Sequence, residues 1–168
     1  LLKERAETGR IYIMNLDHCN SHSSFKDKIS MSNLCQEITL PTTPIQDIHD
    51  EQGEIALCIL SAVNVGGLND LSELENICDL SVRALEQIID YQDYPVKAAE
   101  VSTKKRRSLG IGYIGLAHYL AKNGVKYSDP KAWDLVDRLT EAFQYNLLRA
   151  SCNIAMEKGK CEGFERTK

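Results

Sequence analysis

Several protein classes are excluded by what this 168-residue sequence lacks. No apolar run approaches the about 20 residues a membrane-spanning helix needs. The longest, Ile55 to Val65, is far shorter, so no membrane association is expected. There is no excess of basic charge: 20 Lys and Arg stand against 24 Asp and Glu, a net charge of −4. Binding to a nucleic-acid polymer, which draws on a basic surface, is therefore not expected. There is no C-x-x-C pair, so the six cysteines at 19, 35, 58, 78, 152 and 161 give little support to a structural zinc site. No internal repeat or low-complexity tract is present. There is no initial Met, and Leu-Leu-Lys-Glu-Arg does not lead into the apolar stretch of a secretory leader. The expectation is a processed, trimmed or fragmentary chain with reduced thiols in the cytoplasm.

What is present is ordinary globular composition, with 43% hydrophobic and 26% charged residues, enough to build a core. The length suits a single domain. Ile11-Tyr12-Ile13-Met14 reads as a short strand, followed by a polar loop from Asn15 to Ser32. Ser32 to Leu40 reads as extended, closed by Pro41 and Pro44. The run Ile55 to Val65, stopped by Gly66-Gly67, suits a strand buried on both faces of a parallel sheet. Asp70 and Ser72 each precede a Glu by three residues, a capping-box spacing. Leu74, Ile77, Cys78, Val82, Leu85, Ile88 and Ile89 then recur at helical intervals, up to Tyr91–Pro95. Lys104-Lys105-Arg106-Arg107 can touch a phosphate, but a solvated loop is the plainer reading. Leu109 to Ile114 reads as a short strand, Gly115 to Lys122 as a helix closed by Asn123-Gly124. Ser128-Asp129-Pro130 starts a last helix, with Leu135, Val136, Leu139, Phe143, Leu147 and Ile154 as its stripe and Gly159 as its stop. Strands separated by long helices indicate the α/β class.

Two motifs are weaker than they look. Gly110-Ile-Gly112-Tyr-Ile-Gly115 matches a dinucleotide fingerprint, but Lys-Lys-Arg-Arg-Ser-Leu before it is not a buried strand. Close backbone packing is the preferred use of these glycines. Asp17-His18-Cys19-Asn20-Ser21-His22 has metal-ligand residue types but no second half at suitable spacing, and no metal is assigned.

Ser32-Asn33-Leu34-Cys35-Gln36-Glu37 carries the most chemistry. In an extended segment Asn33, Cys35 and Glu37 share one face, spaced about 6–7 Å apart. An amide, a thiol and a carboxylate together can surround one small polar group. From spacing alone, a free Cys between polar surface residues is the plainer reading. Cys58 lies in the apolar run on a face with Leu60, Ala62 and Asn64. A Cys there is either a small core hydrophobe or a redox thiol in need of a partner. Cys78 falls on a helix's apolar face, and Cys152 and Cys161 have no electropositive neighbours to mark them as reactive.

Taken together, Ser32-Asn-Leu-Cys-Gln-Glu37 and Glu54-Ile-Ala-Leu-Cys58 with Leu-Ser-Ala-Val-Asn following resemble the large catalytic subunit of aerobic class I ribonucleotide reductase. The flanks Thr8-Gly-Arg-Ile-Tyr-Ile13, Asp17-His-Cys-Asn20, Asp90-Tyr-Gln-Asp-Tyr-Pro95 and Arg107-Ser-Leu-Gly-Ile-Gly112 agree. The resemblance runs through almost the whole chain. It implies that residues 1–168 are a central portion of a ten-stranded α/β barrel with a central finger loop. By that resemblance Cys35 is the thiyl radical that takes the 3′ hydrogen of the ribonucleoside diphosphate substrate. Glu37 is the base on the 3′ hydroxyl, Asn33 binds the sugar hydroxyls, and Cys58 is one of two thiols that reduce the 2′ carbon. The second of those thiols, the N-terminal ATP cone, the effector site, the phosphate-binding segment and the C-terminal cysteine pair lie outside this sequence. No cofactor is expected on this segment. The radical is expected from a metal-containing small subunit, the electrons from thioredoxin or glutaredoxin, and the remaining sites from the rest of the large subunit. The competing readings are a non-catalytic interaction module on the same fold and a nucleotide-binding domain using the Gly110 to Gly115 turn.

Overall fold

A computed structural model describes all 168 residues. Two short helices, α1 (Leu2–Thr8) and α2 (Leu16–His22), precede a long irregular stretch that leads into strand β1 (Ile59–Asn64). Helices α3 (Leu74–Tyr91) and α4 (Lys97–Arg106) then return the chain to strand β2 (Leu109–Ile114). Helices α5 (Leu116–Lys122) and α6 (Pro130–Lys158) follow, and a 3₁₀ turn, Glu162–Arg166, closes the chain. The class is mixed helix and strand, built on one β–helix–β unit.

β1 and β2 pair in parallel, with Ile59 opposite Leu109 and Asn64 opposite Ile114. Parallel neighbours need a long crossover, and α3 with α4 supplies it. Burial alternates along β1: Val63 is buried while Leu60 is 57% exposed. The expectation of burial on both faces is thereby corrected. The helices cover only one side of the strand pair, and the assigned strand begins at Ile59 rather than Ile55. On the covered side Val63 and Val65 pack with Leu74 and Cys78 of α3, Tyr119 of α5, and Leu139 and Phe143 of α6. Tyr113 of β2 meets Phe143 edge to face, with ring centroids 5.6 Å apart. Val82, Ala150 and Ile154 extend this core toward Leu109.

The strongly periodic helices form where expected. Asp70 accepts a hydrogen bond from Ser72 N at 2.8 Å, and a 3₁₀ turn then leads into α3. Pro130 opens α6 and Gly159 ends it. Four expectations are corrected. Ile11 to Met14 forms no strand, because no neighbouring strand takes up its backbone groups. The polar stretch after Asn15 contains α2, whose Asn20 fixes the backbone of buried Ile29 through two 2.8 Å hydrogen bonds. Ser32 to Leu40 is not extended throughout, but turns at Asn33–Gln36. Lys104 to Arg107 is not a solvated loop, but the end of α4 and its left-handed cap.

Each cation of that basic cluster is taken by a carboxylate. Lys104 pairs with Glu100 at 2.7 Å, and Arg107 pairs with Glu86 and, at 2.8 Å, with Asp90. Lys105 and Arg106 converge on Glu54, at 2.6 and 2.7 Å. Arg106 also reaches Asp27 at 3.3 Å, which Arg166 holds from its other side. The side chains of Arg106 and Glu54 are only 5% and 8% exposed. Burial pushes the Glu54 carboxyl up, but the Lys105 and Arg106 hydrogen bonds outweigh it and hold it below its ordinary 4.5. Asp27 is held below 3.8, chiefly by Arg166.

Arg106→Met is expected to cost about 3 kcal/mol of stability in denaturant unfolding, since it strips a buried cation from two carboxylates that each keep one partner. Both carboxyls have folded-state values below their unfolded ones. Their contribution is therefore complete above about pH 5 and is lost as pH falls through the folded values. Unfolding measured from pH 7 to pH 3 should show this acid-side loss, and Arg106→Met should make it shallower.

Candidate active site

The turn that carries three of the candidate residues is made by Asn33. Its backbone carbonyl accepts from Gln36 N at 3.1 Å, and its side-chain Oδ1 accepts from Ile38 N at 3.0 Å. An Asn side chain that satisfies nearby amides competes directly with an extended ladder. Gln36 completes the reversal with a left-handed φ of 65°. Asn33, Cys35 and Glu37 therefore do not line up on one pleated face, which corrects the spacing argument. Asn33 is half-buried at the base of the turn, while Cys35 and Glu37 are exposed. No hydrogen bond or ion pair ties Cys35 to the other three candidates.

Cys58 stands just before β1 and continues its outward-facing alternation. It is half-buried, with its sulfur beside the backbone of Gly110 on β2. Burial raises its thiol above the ordinary 9.0, and the Glu37 carboxylate raises it further. Glu37, on the turn, thus acts electrostatically on Cys58, at the sheet, although the two are distant in sequence. The thiol keeps its proton at neutral pH. It can give up hydrogen, but it is not a standing thiolate nucleophile.

Leu60, Ala62 and Asn64 of β1 and Gly110, Gly112 and Ile114 of β2 form the rest of this uncovered face. Asn64 is partly committed, since its Oδ1 accepts from Gly66 N at 3.2 Å. A groove of about 520 Å³ lies elsewhere, between β2, α3, α6 and the last turn. It is lined by Leu109, Leu147, Cys152 and Cys161 among others, and by none of the four candidates.

All six cysteines are free thiols, and buried Cys78 belongs to the core. Asp17 to His22 lies on and around α2, where His22 Nδ1 sits 3.0 Å from the His18 carbonyl. No group of three His, Cys, Asp or Glu side chains has metal-holding geometry. Gly110 and Gly112 lie inside β2 rather than in a turn after it, so the fingerprint-like motif cannot cradle a pyrophosphate. Only Gly115, with φ 80°, makes a strand-to-helix turn. The sequence reading missed the contact of Gly110 with Cys58. The strand register was the signal that could have shown it.

The family profile described as ribonucleotide reductase, barrel domain, matches residues 1–168. A ribonucleoside-diphosphate reductase subunit alpha of Haemophilus influenzae is 59% identical over 170 residues, covering 99% of this chain and 22% of that protein. The subunit alpha of Buchnera aphidicola subsp. Schizaphis graminum is 56% identical over the same coverage. The reductase 1 subunit alpha of Escherichia coli is 54% identical, again over 99% of this chain. The chain spans 22% of the length of these relatives.

The Cys58 environment has a direct readout. Alkylation of Cys58 followed against pH by peptide mass spectrometry should show a midpoint above 9.0. Glu37→Gln should bring that midpoint down, because it removes the neighbouring negative charge. An unchanged midpoint would separate the turn from the strand.

Proposed function

The chain belongs to the ribonucleotide reductase barrel-domain family, and on that premise we propose that it forms the catalytic centre of a ribonucleoside-diphosphate reductase large subunit. The observation that carries this reading is the placement of the half-buried Cys58 sulfur on the helix-free side of the strand pair beside Gly110, where burial and the Glu37 carboxylate raise the thiol. A thiol that delivers hydrogen must keep it until the substrate arrives, and an adjacent carboxylate disfavours the thiolate. The helix-free side of the strand pair, with small residues beside Cys58, supports its placement on the inner wall of a ten-stranded α/β barrel. The turn at Asn33–Gln36 then acts as the finger loop at the barrel's centre.

In this reading a thiyl radical on Cys35 removes the 3′ hydrogen atom of the substrate ribose. Glu37 takes the proton of the 3′ hydroxyl, which a carboxylate within hydrogen-bond reach can do. Asn33 keeps a side-chain N–H₂ for the sugar hydroxyls while its Oδ1 holds the turn. Cys58 and a second thiol from the rest of the subunit supply two protons and two electrons. The 2′ hydroxyl leaves as water, the two sulfurs join as a disulfide that thioredoxin or glutaredoxin reduces, Glu37 returns its proton to the 3′ oxygen, and Cys35 returns the hydrogen atom to the 3′ carbon and regains the radical. The small subunit's metal centre supplies the radical. ATP and deoxynucleotide effectors act through other parts of the large subunit. A cytoplasmic location suits reduced thiols. No helix is long and apolar enough to cross a membrane.

In a complete large subunit carrying this segment, assayed with its small subunit for deoxynucleotide formation, Cys35→Ser and Cys58→Ser should each abolish turnover. Glu37→Gln should lower kcat by about 10²–10⁴-fold, the range of general base catalysis. Full turnover by Cys35→Ser would overturn the radical mechanism. The 168-residue chain alone should be inactive, since it holds one of the two reducing thiols.

A further inference from the structure

We infer that Gly110 is a positioning residue for the reducing thiol, because its missing side chain is the space in which the Cys58 sulfur rests. The inference rests on the reading of Cys58 as a reducing thiol. Gly110 lies directly opposite Leu60 in the parallel register, on the uncovered face. A Cβ built on Gly110 would stand 3.1 Å from Cys58 Sγ and 2.5 Å from Leu60 Cδ2. Leu60 is 57% exposed, and its methyl end can swing away. Cys58 has no such flexible end: at 3.1 Å its short, half-buried side chain must give by a few tenths of an ångström. A methyl group at position 110 therefore displaces the sulfur from its resting place.

Gly112 supplies the internal control. It lies two residues along the same strand and on the same face, and a Cβ there meets nothing within 4 Å. Neither glycine has a positive φ, so Ala fits either backbone. A difference between the two substitutions reports the contacts made at position 110, with Leu60 and Cys58, not the conformational loss of a glycine.

The test uses the complete large subunit with its small subunit. Gly110→Ala should change the site-resolved alkylation rate of Cys58 by about threefold or more. It should lower kcat about tenfold to a hundredfold, as sub-ångström to ångström misplacement of a reacting group does, with KM within about twofold. Gly112→Ala should leave both alkylation and turnover within about twofold. The double change Leu60→Ala with Gly110→Ala removes the closer contact and keeps only the sulfur's. It should retain the deficit relative to Leu60→Ala alone, and it stands in for the single variant if that variant does not fold. Unchanged Cys58 alkylation in Gly110→Ala would overturn the inference, as would recovery in the double variant. Altered alkylation with normal turnover would instead overturn the role of Cys58 in the reaction, and with it the role of Gly110 there.

Discussion

The arrangement depends on one buried cation. Arg106, at the end of α4, is the point where three parts of the chain that share no regular hydrogen-bond ladder are tied together. Glu54 comes from the approach to β1, and Asp27 from the stretch after α2. Asp27 in turn holds Arg166 of the closing 3₁₀ turn. Backbone bonds run alongside: Thr43 and Glu54 exchange hydrogen bonds at 3.1 and 3.0 Å, and Lys26 N donates to the Arg166 carbonyl at 2.8 Å. An irregular segment has many conformations of similar energy, and apolar contacts alone discriminate poorly among them. A buried charge discriminates sharply, because any arrangement that leaves it unpaired is costly. The same clasp fixes Glu54, and hence the start of the short run to Cys58.

This non-local pairing is also what the sequence could not reveal. α3 and α6 were legible because Leu74, Cys78, Val82 and Ile89, or Leu139, Phe143 and Ile154, recur at a helical period beside recognisable caps. β2 and α5 were legible from their punctuation by Gly115 and Asn123-Gly124. α4 was not, because its buried face is Ala98, Ala99, Ser102 and Thr103, too small and too polar to show a period. Its basic end looked solvated because Glu54, Asp27, Glu86 and Asp90 are brought to it only by the fold. α2 was hidden for a related reason, since Asn20 anchors it by a contact to Ile29 rather than by an apolar stripe.

The candidate site divides in the same way. The residue set came from two motifs in order, which single out Asn33, Cys35, Glu37 and Cys58 without any knowledge of their geometry. Asn33, Cys35 and Glu37 do not share a face, because alternation along a strand presupposes a partner strand. Here Asn33 satisfies its neighbours' amides itself. What joins the motifs is electrostatic: beside burial, the Glu37 carboxylate raises the Cys58 thiol. The tight turn holds Cys35 exposed, which a paired strand would not. It needs no sheet neighbour, and it is stiffened from within.

The distribution of exposed apolar surface has a matching logic. Leu34 beside Cys35 is 73% exposed, and Leu60 and Ile114 on the uncovered face are each 57% exposed. Large apolar side chains gathered on the surface mark where further protein packs. The chain covers 22% of the length of its relatives, so ample polypeptide exists in such proteins to cover this side. The proposed radical chemistry needs water kept away from the reacting sulfur. In that reading the exclusion comes from the uncovered side, because the helices occupy the other. The strand pair thus has one face finished by helices and one face, carrying small residues, a protonated thiol and exposed Leu60 and Ile114, left for further protein to cover.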